Sequence, residues 1–531
     1  MSLLGLGLMT SCSNDDEVNG AKTEEGQTVA QISISVASAS SASTRTTPDQ
    51  NTGEEADATA EENNVKSLTV VLADENDIAQ QVINPELKDE SAAKKEIRST
   101  KPFTINAGKY KVYVLANYTE NKDNLSPVII GSTNMKQTFD ILGTLSSTAN
   151  NGDFFMSNAD DVKVTDFTGI AGGKEVDDDG GEVSSGKTLF LLEINLERAV
   201  SKVTFDNTDE QPFDIKDGDT KIATAVLKGV SLINLNKKMF LVKEKDASIS
   251  PGTSGWTGNG SSIPTDWFYV KDPNYSKLTT PEDISSNFGP DKVDLLSSTP
   301  FTAPGNAALY CPENTMVAEA QLNGQTTGVV YKVTYTPNTT GFNPYTTPVK
   351  NGTDAYSALF TKVLALESGV LDSKITEDIF TASLETSAEV PTGSFYAYKG
   401  LLFKNKNAAY LYCAIDANLT TDAATAAAAV NTDFKGYDTT APADVHLYEG
   451  GVCYYTAWIK HNPNGTTMEQ GKYGTVRNHW YVLAVTKING LGHYAPTYKD
   501  AADPDDPAKA LIQVKATVKK WTVVKQDVTL E

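Results

Sequence analysis

Gln31-Ile32-Ser33-Ile34-Ser35-Val36 alternates polar and apolar residues without a break. Val524-Lys525-Gln526-Asp527-Val528-Thr529-Leu530 returns to the same alternation at the other end, interrupted only at Gln526. A period of two marks a strand with one buried face. Ser38 to Pro48 follows the first segment as a Ser/Thr/Ala run that contains Arg45. A first strand that can be removed and a last strand that can be exchanged are the parts that head-to-tail polymerisation requires.

Working inward from these ends, the chain reads as many short strands. Leu68, Val70 and Leu72 share one strand face, and Tyr110, Val112, Val114 and Ala116 share another. Further strands are expected at 154–158, 188–196, 198–205, 225–235, 239–242, 328–335, 395–403, 408–415, 452–460 and 480–488. Helices are minor: 354–367, with Thr353 as cap and Gly369 as stop, and the alanine-rich 422–430. Residues 49–64 are acidic and read as structureless, so order is expected to begin at Val65. Short strands broken by Gly, Asn, Pro and Asp turns indicate an all-β chain of β-sandwiches. No short-period repeat occurs, which disfavours a solenoid or propeller.

The length of 531 residues calls for two large domains or more. A net charge of -23 argues against nucleic acid and against electrostatic binding to an anionic membrane surface. Leu3-Leu4-Gly5-Leu6-Gly7-Leu8-Met9 is a short apolar run, too short to span a bilayer. Thr10-Ser11-Cys12 and a polar stretch follow it, an arrangement that resembles a bacterial lipobox with Cys12 as the lipidated residue. The usual basic start is absent, so the signal reads as truncated. The arginines are Arg45, Arg98, Arg198 and Arg477. Arg45 has small polar neighbours and suits an exposed extended protease substrate, although a linker arginine with no role has the same appearance.

Chemical signatures are sparse. Cys311, Cys413 and Cys453 show no CxxC spacing; Cys413 and Cys453 could lie on neighbouring strands, or all three could be small buried hydrophobes. His446, His461, His479 and His493 lack metal-ligand spacing. Asp177 to Asp179 lack the pattern of a calcium loop. With no catalytic fingerprint, no catalytic residue, metal or cofactor is expected. Trp256, Trp267, Trp458, Trp480 and Trp521 could include a sugar platform, though packing is the ordinary role of such residues.

The order of several blocks along the chain resembles the fimbrillins, or type V pilins, of the Bacteroidales, nearest the shaft subunit of the minor fimbrium. The blocks are Cys12, the alternating strand with Arg45, Lys109 to Asn117, Phe155-Met156-Ser157-Asn158, Arg198-Ala199-Val200-Ser201-Lys202-Val203 and Tyr310 to Thr315. Tyr473-Gly474-Thr475-Val476-Arg477-Asn478-His479-Trp480-Tyr481 follows, then Ile488 to Gly492, the Asp/Pro linker 503–507 and the strands around Trp521.

The resemblance implies two tandem transthyretin-like β-sandwiches with minor helical insertions. It implies a signal at 1–12, a lipidated propeptide at 13–45 with a removable strand (Ile32, Ile34, Val36), and sandwiches at 46–196 and 197–510. It further implies cleavage at Arg45-Thr46 by an arginine-specific surface protease, and a donor segment at 511–531 with Trp521, Val524, Val528 and Leu530. The partners would be further copies of the chain and tip and anchor subunits, first at the outer membrane through a lipid and then in an extracellular fimbrium. The alternatives are a tip or anchor subunit, or a surface lipoprotein that binds glycans through exposed aromatics.

Overall fold

The structure is a computed structural model that describes residues 27–36, 55–59, 61–88, 97–119, 125–142, 153–168, 175–176, 182–184, 189–206, 211–246, 269–289, 301–305, 308–338, 393–398, 400–403, 409, 445–462, 467–496, 504–505 and 511–522. Strands dominate these residues, and they gather around two main apolar cores that divide near Val200.

In the N-terminal unit, hydrogen bonding follows one path. It runs from Ala79–Ile83 through Leu68–Ala73, Lys109–Ala116, Met156–Asn158, Leu189–Arg198 and Gln27–Val36 to Ile97–Ser99. Val164–Asp166 adds to Lys109–Ala116, and Phe103–Asn106 adds to Gln27–Val36. Side chains from both ends of the path meet in one core, Ile32 and Ile34 at one end and Val70 and Leu72 at the other. Leu68–Ala73 is buried at every position, so its alternation marks a core-facing row while its other face is also covered.

The C-terminal unit is a sandwich of two sheets. One has the order Glu55–Asp57, Ile512–Thr522, His479–Ile488, Val200–Phe205, Ala308–Pro312; the other has Phe213–Asp217, Thr220–Ile233, Gly328–Pro337, Val452–Trp458. Their inward rows supply the second core: Val203 and Phe205, Tyr481, Leu483 and Val485 from one sheet, and Val329, Tyr331, Val333 and Cys453 from the other. A smaller three-stranded sheet joins Leu401–Phe403, Phe395–Tyr398 and Val445–Tyr448.

Two segments cross between the units. Glu55–Asp57 lies between strands of the N-terminal unit in sequence yet pairs with Lys520–Thr522 of the C-terminal sheet. Lys238–Phe240 pairs with Thr138–Asp140, and Met239 and Leu241 are buried in the N-terminal core. Residues 49–64, expected to be structureless, therefore include a strand and the turn Glu61–Asn63. The expected strand 408–415 is described only at Ala409, which is helical. Both expected helices lie outside the described residues, as does the aspartate run at 177–179. The described α-helix, Pro281–Asn287, was not anticipated. Its signals are Thr280, whose Oγ1 accepts from the Asp283 N–H at 3.1 Å, proline in the first turn, and two acidic residues.

Histidines pack rather than coordinate. His461 is 1% exposed, and its Nδ1 lies 2.8 Å from the Tyr481 hydroxyl. That hydroxyl accepts from the Val476 N–H at 2.9 Å, which leaves its own proton for His461. Burial, reinforced by His479 beside it, holds His461 well below the usual 6.5. The unfolded chain therefore takes up this proton first as pH falls below about 6.5, and stability drains away below that value. His461→Gln is expected to flatten the fall of thermal midpoint between pH 7 and 5, measured against the parent chain by circular dichroism; equal slopes would refute the assignment.

Candidate functional site

The strand Gln27–Val36 is internal to its sheet. On one edge Val29 to Val36 runs parallel to Leu189 to Leu196. On the other, Gln27 to Ala30 pairs antiparallel with Phe103 to Asn106, and Ser33 to Ser35 with Ile97 to Ser99. Ile32, Ile34 and Val36 point into the core at 0%, 1% and 4% exposure. Each contributes about 1.5–3 kcal/mol by burial. Period-two reasoning predicted one covered face, but Val29 and Gln31 on the other face are covered too. Gln31 is accommodated because its side-chain amide donates to the Thr100 carbonyl at 2.9 Å. Thr100 closes the gap between the two short partner strands: its hydroxyl accepts from the Ile32 N–H at 3.1 Å and its own N–H donates to the Ile32 carbonyl at 2.9 Å. Ser35 Oγ donates to Asn195 Oδ1 at 2.6 Å across the parallel edge.

Taking this strand out would bare two sheet edges and an apolar floor at once. Such edges are templates for another strand. The gap would accept an extended segment whose alternate side chains are apolar, with main-chain bonds on both sides.

The junction between the two units is polar and buried. Glu62 receives the Lys202 ammonium at 2.8 Å, the Tyr310 hydroxyl at 2.7 Å and the Thr59 N–H at 2.9 Å. Burial works against its charge, but Lys202 and Tyr310 more than offset this and keep Glu62 below the usual carboxylate range. Arg198, 0% exposed, donates from Nε to the Glu62 carbonyl at 3.0 Å, from Nη1 to Asn478 Oδ1 at 2.8 Å, and from Nη2 to Asn63 Oδ1. Burial lowers this guanidinium to about 10, still charged at neutral pH. Lys243 pairs with Glu197 at 2.9 Å, and Arg477 with Glu313 at 3.3 Å. Thr59-x-x-Glu62 is a capping-box pattern that could have revealed this turn from sequence.

Of the residues singled out beforehand, the structure gathers Ile32, Ile34 and Val36 on one strand. Trp521 lies on Ile512–Thr522, paired with Ala56 inside its own sheet. Ile512 and Ala516 of that strand belong to their own subunit's core. The segment 511–531 is thus an integral strand through Thr522, which leaves Val524, Val528 and Leu530 of the expected donor set. These three, with Cys12, Arg45 and Thr46, lie outside the described residues. Cys311 and Cys453 are free, and burial pushes both thiols up to about 11; Cys413 is outside the described residues. Trp480 spends its faces internally: its indole N–H donates to Thr204 at 2.7 Å, and Lys202 sits 3.7 Å from a ring centroid. Among the described residues no group of His, Cys, Asp or Glu could hold a metal ion, and no helix is long and apolar enough to cross a membrane.

A family model described as "Major fimbrial subunit protein (FimA)" matches residues 30–191, a span that begins within the leading strand and covers most of its sheet. A second, for the C-terminal region of the type IV major fimbrial subunit, fimbrillin, matches residues 446–527. Both matches are to models of fimbrial subunits, in agreement with the resemblance drawn from sequence. None of the curated proteins matches the chain. Among solved structures, a candidate cell adhesion protein from Parabacteroides distasonis is 14% identical with a TM-score of 0.40, over 93% of this chain and 99% of that one. A fimbrilin (FimA) from Porphyromonas gingivalis is 12% identical with a TM-score of 0.34, over 95% and 99%. The tip fimbrial protein Mfa3 of the same organism is 11% identical with a TM-score of 0.32, over 93% and 100%.

Ile34→Ala is expected to cost about 2–5 kcal/mol in denaturant unfolding of the intact chain, because the side chain is fully enclosed. Ser35→Ala, on the more open face, is expected to stay within about 0.5 kcal/mol. Equal effects would show that the strand is not seated as described.

Proposed function

We propose that this chain is a structural, non-enzymatic subunit of a surface fimbrium that polymerises by exchanging its leading strand for a neighbour's tail. The observation that carries the reading is the seating of Gln27–Val36, internal to its sheet, paired on both edges and buried at Ile32, Ile34 and Val36. Its downstream tether, residues 37–54, contains Arg45. The precursor is exported and lipidated at Cys12. An arginine-specific protease at the cell surface cuts between Arg45 and Thr46, and the leading strand leaves. A second copy then lays Val524, Val528 and Leu530 into the bared core, where the added ladder offsets the entropy lost by the extended tail. Repetition is head to tail and need not close into a ring, so it gives a filament. Tip and anchor subunits complete the assembly, which serves adhesion outside the cell.

The parent chain treated with an arginine-specific protease is expected to yield a product beginning at Thr46 and to form ladders on an unboiled gel. Arg45→Ala is expected to remain monomeric. Surface-sheared filaments whose subunits still carry Ile34 by mass spectrometry would overturn the reading.

A further inference from the structure

The strand Ile512–Thr522 ends at the seam between the two units. Lys520 pairs with His479 on one edge and Glu55 on the other. His479 adjoins Asn478, which receives Arg198 and whose own N–H donates to the Val200 carbonyl at 2.9 Å. Thr522 pairs with Asp57, and the next residue, Ala58, is 3% exposed in the N-terminal core. The segment that begins at Glu55 therefore straps the end of the last strand to the seam, and Glu62 pins the strap to Lys202 and Tyr310.

Val524, the first apolar residue of the alternating tail, follows Thr522 with a single residue between them. Extended chain covers about 3.3–3.6 Å per residue, so Val524 lies no more than about 7 Å from Thr522 along the chain. A tail whose insertion begins at Val524 therefore enters a groove brought against the seam.

We infer that consecutive subunits meet at the donor's seam, with the strap Glu55–Asp57 lying in the contact and a second copy of this chain, mouth of its vacated slot foremost, as the partner. This rests on the exchange reading above and adds to it a place on the donor surface. The strap also follows Arg45 in sequence, so processing leaves it in place.

The test uses Asp57→Cys carrying a photoactivated benzophenone, and Glu55→Cys as a second position should the first fail to fold. Processed labelled subunits are polymerised with isotope-marked unlabelled ones, irradiated and mapped by mass spectrometry. Cross-links from one copy to Ile97–Asn106 or Leu189–Leu196 of another are expected in the polymer and absent from the unprocessed monomer. A polymer whose cross-links stay within one copy, or reach only another copy's C-terminal sandwich, overturns this inference and leaves strand exchange standing. Failure of correctly processed, folded subunits to polymerise overturns both.

Discussion

Everything in the N-terminal unit depends on one strand being hydrogen-bonded along both edges. Gln27–Val36 joins Leu189–Arg198 to the short pieces Ile97–Ser99 and Phe103–Asn106, which are not neighbours of one another in the sheet path. Without it the path ends at Leu189–Arg198, and the short pieces lose their partner in this sheet. Its inward side chains are among the least exposed of the molecule. A strand at an edge could be shed with little effect on its neighbours. An internal one cannot: its removal would leave a gap with a shape, a direction and two unsatisfied ladders.

Charge adds to the paired strands and to the buried Met239 and Leu241 that tie the two units together. Glu62 with Lys202, Glu197 with Lys243 and Glu313 with Arg477 are all buried pairs near the seam. Pairs of this kind add modest net stability, because desolvation opposes the attraction, but losing one partner costs about 3–5 kcal/mol. Burial raises Glu197 and lowers Lys243, and the charge of each partner opposes the shift of the other. Apolar surfaces of similar area could slide; Glu62 and Lys202, one from each unit, have to face one another, which makes the relative placement of the sandwiches specific.

Local pattern made the strands legible. Lys109–Ala116, Gly328–Pro337 and His479–Ile488 follow from alternation and from aromatic and β-branched content, and all three appear close to where the pattern puts them. The leading strand was legible for the same reason. Its pairing was not, because a parallel neighbour some 160 residues away leaves no trace in composition. The strap at Glu55–Asp57 was hidden by acidity: a short strand at a sheet edge needs no apolar face, and its backbone supplies the pairing. The resemblance implies that Trp521 belongs to an exchangeable tail, whereas the ladders with His479–Ile488 and Glu55–Asp57 together claim the chain through Thr522. The capping pair Thr59 and Glu62 was readable, but nothing local says that the same carboxylate also serves Lys202 and Tyr310 of the other unit.

The wiring of the leading strand bears on how the chain first folds. Gln27–Val36 leaves the ribosome early, but its parallel partner, Leu189–Arg198, is made much later. Closing so wide a loop is entropically unfavourable, and non-local parallel pairing is intrinsically slow. Until then the nascent chain displays Ile32, Ile34 and Val36 to whatever is near. A polypeptide built this way gains from crossing a membrane unfolded, or under the care of a holding chaperone, and from completing its first sheet only after synthesis has passed the seam.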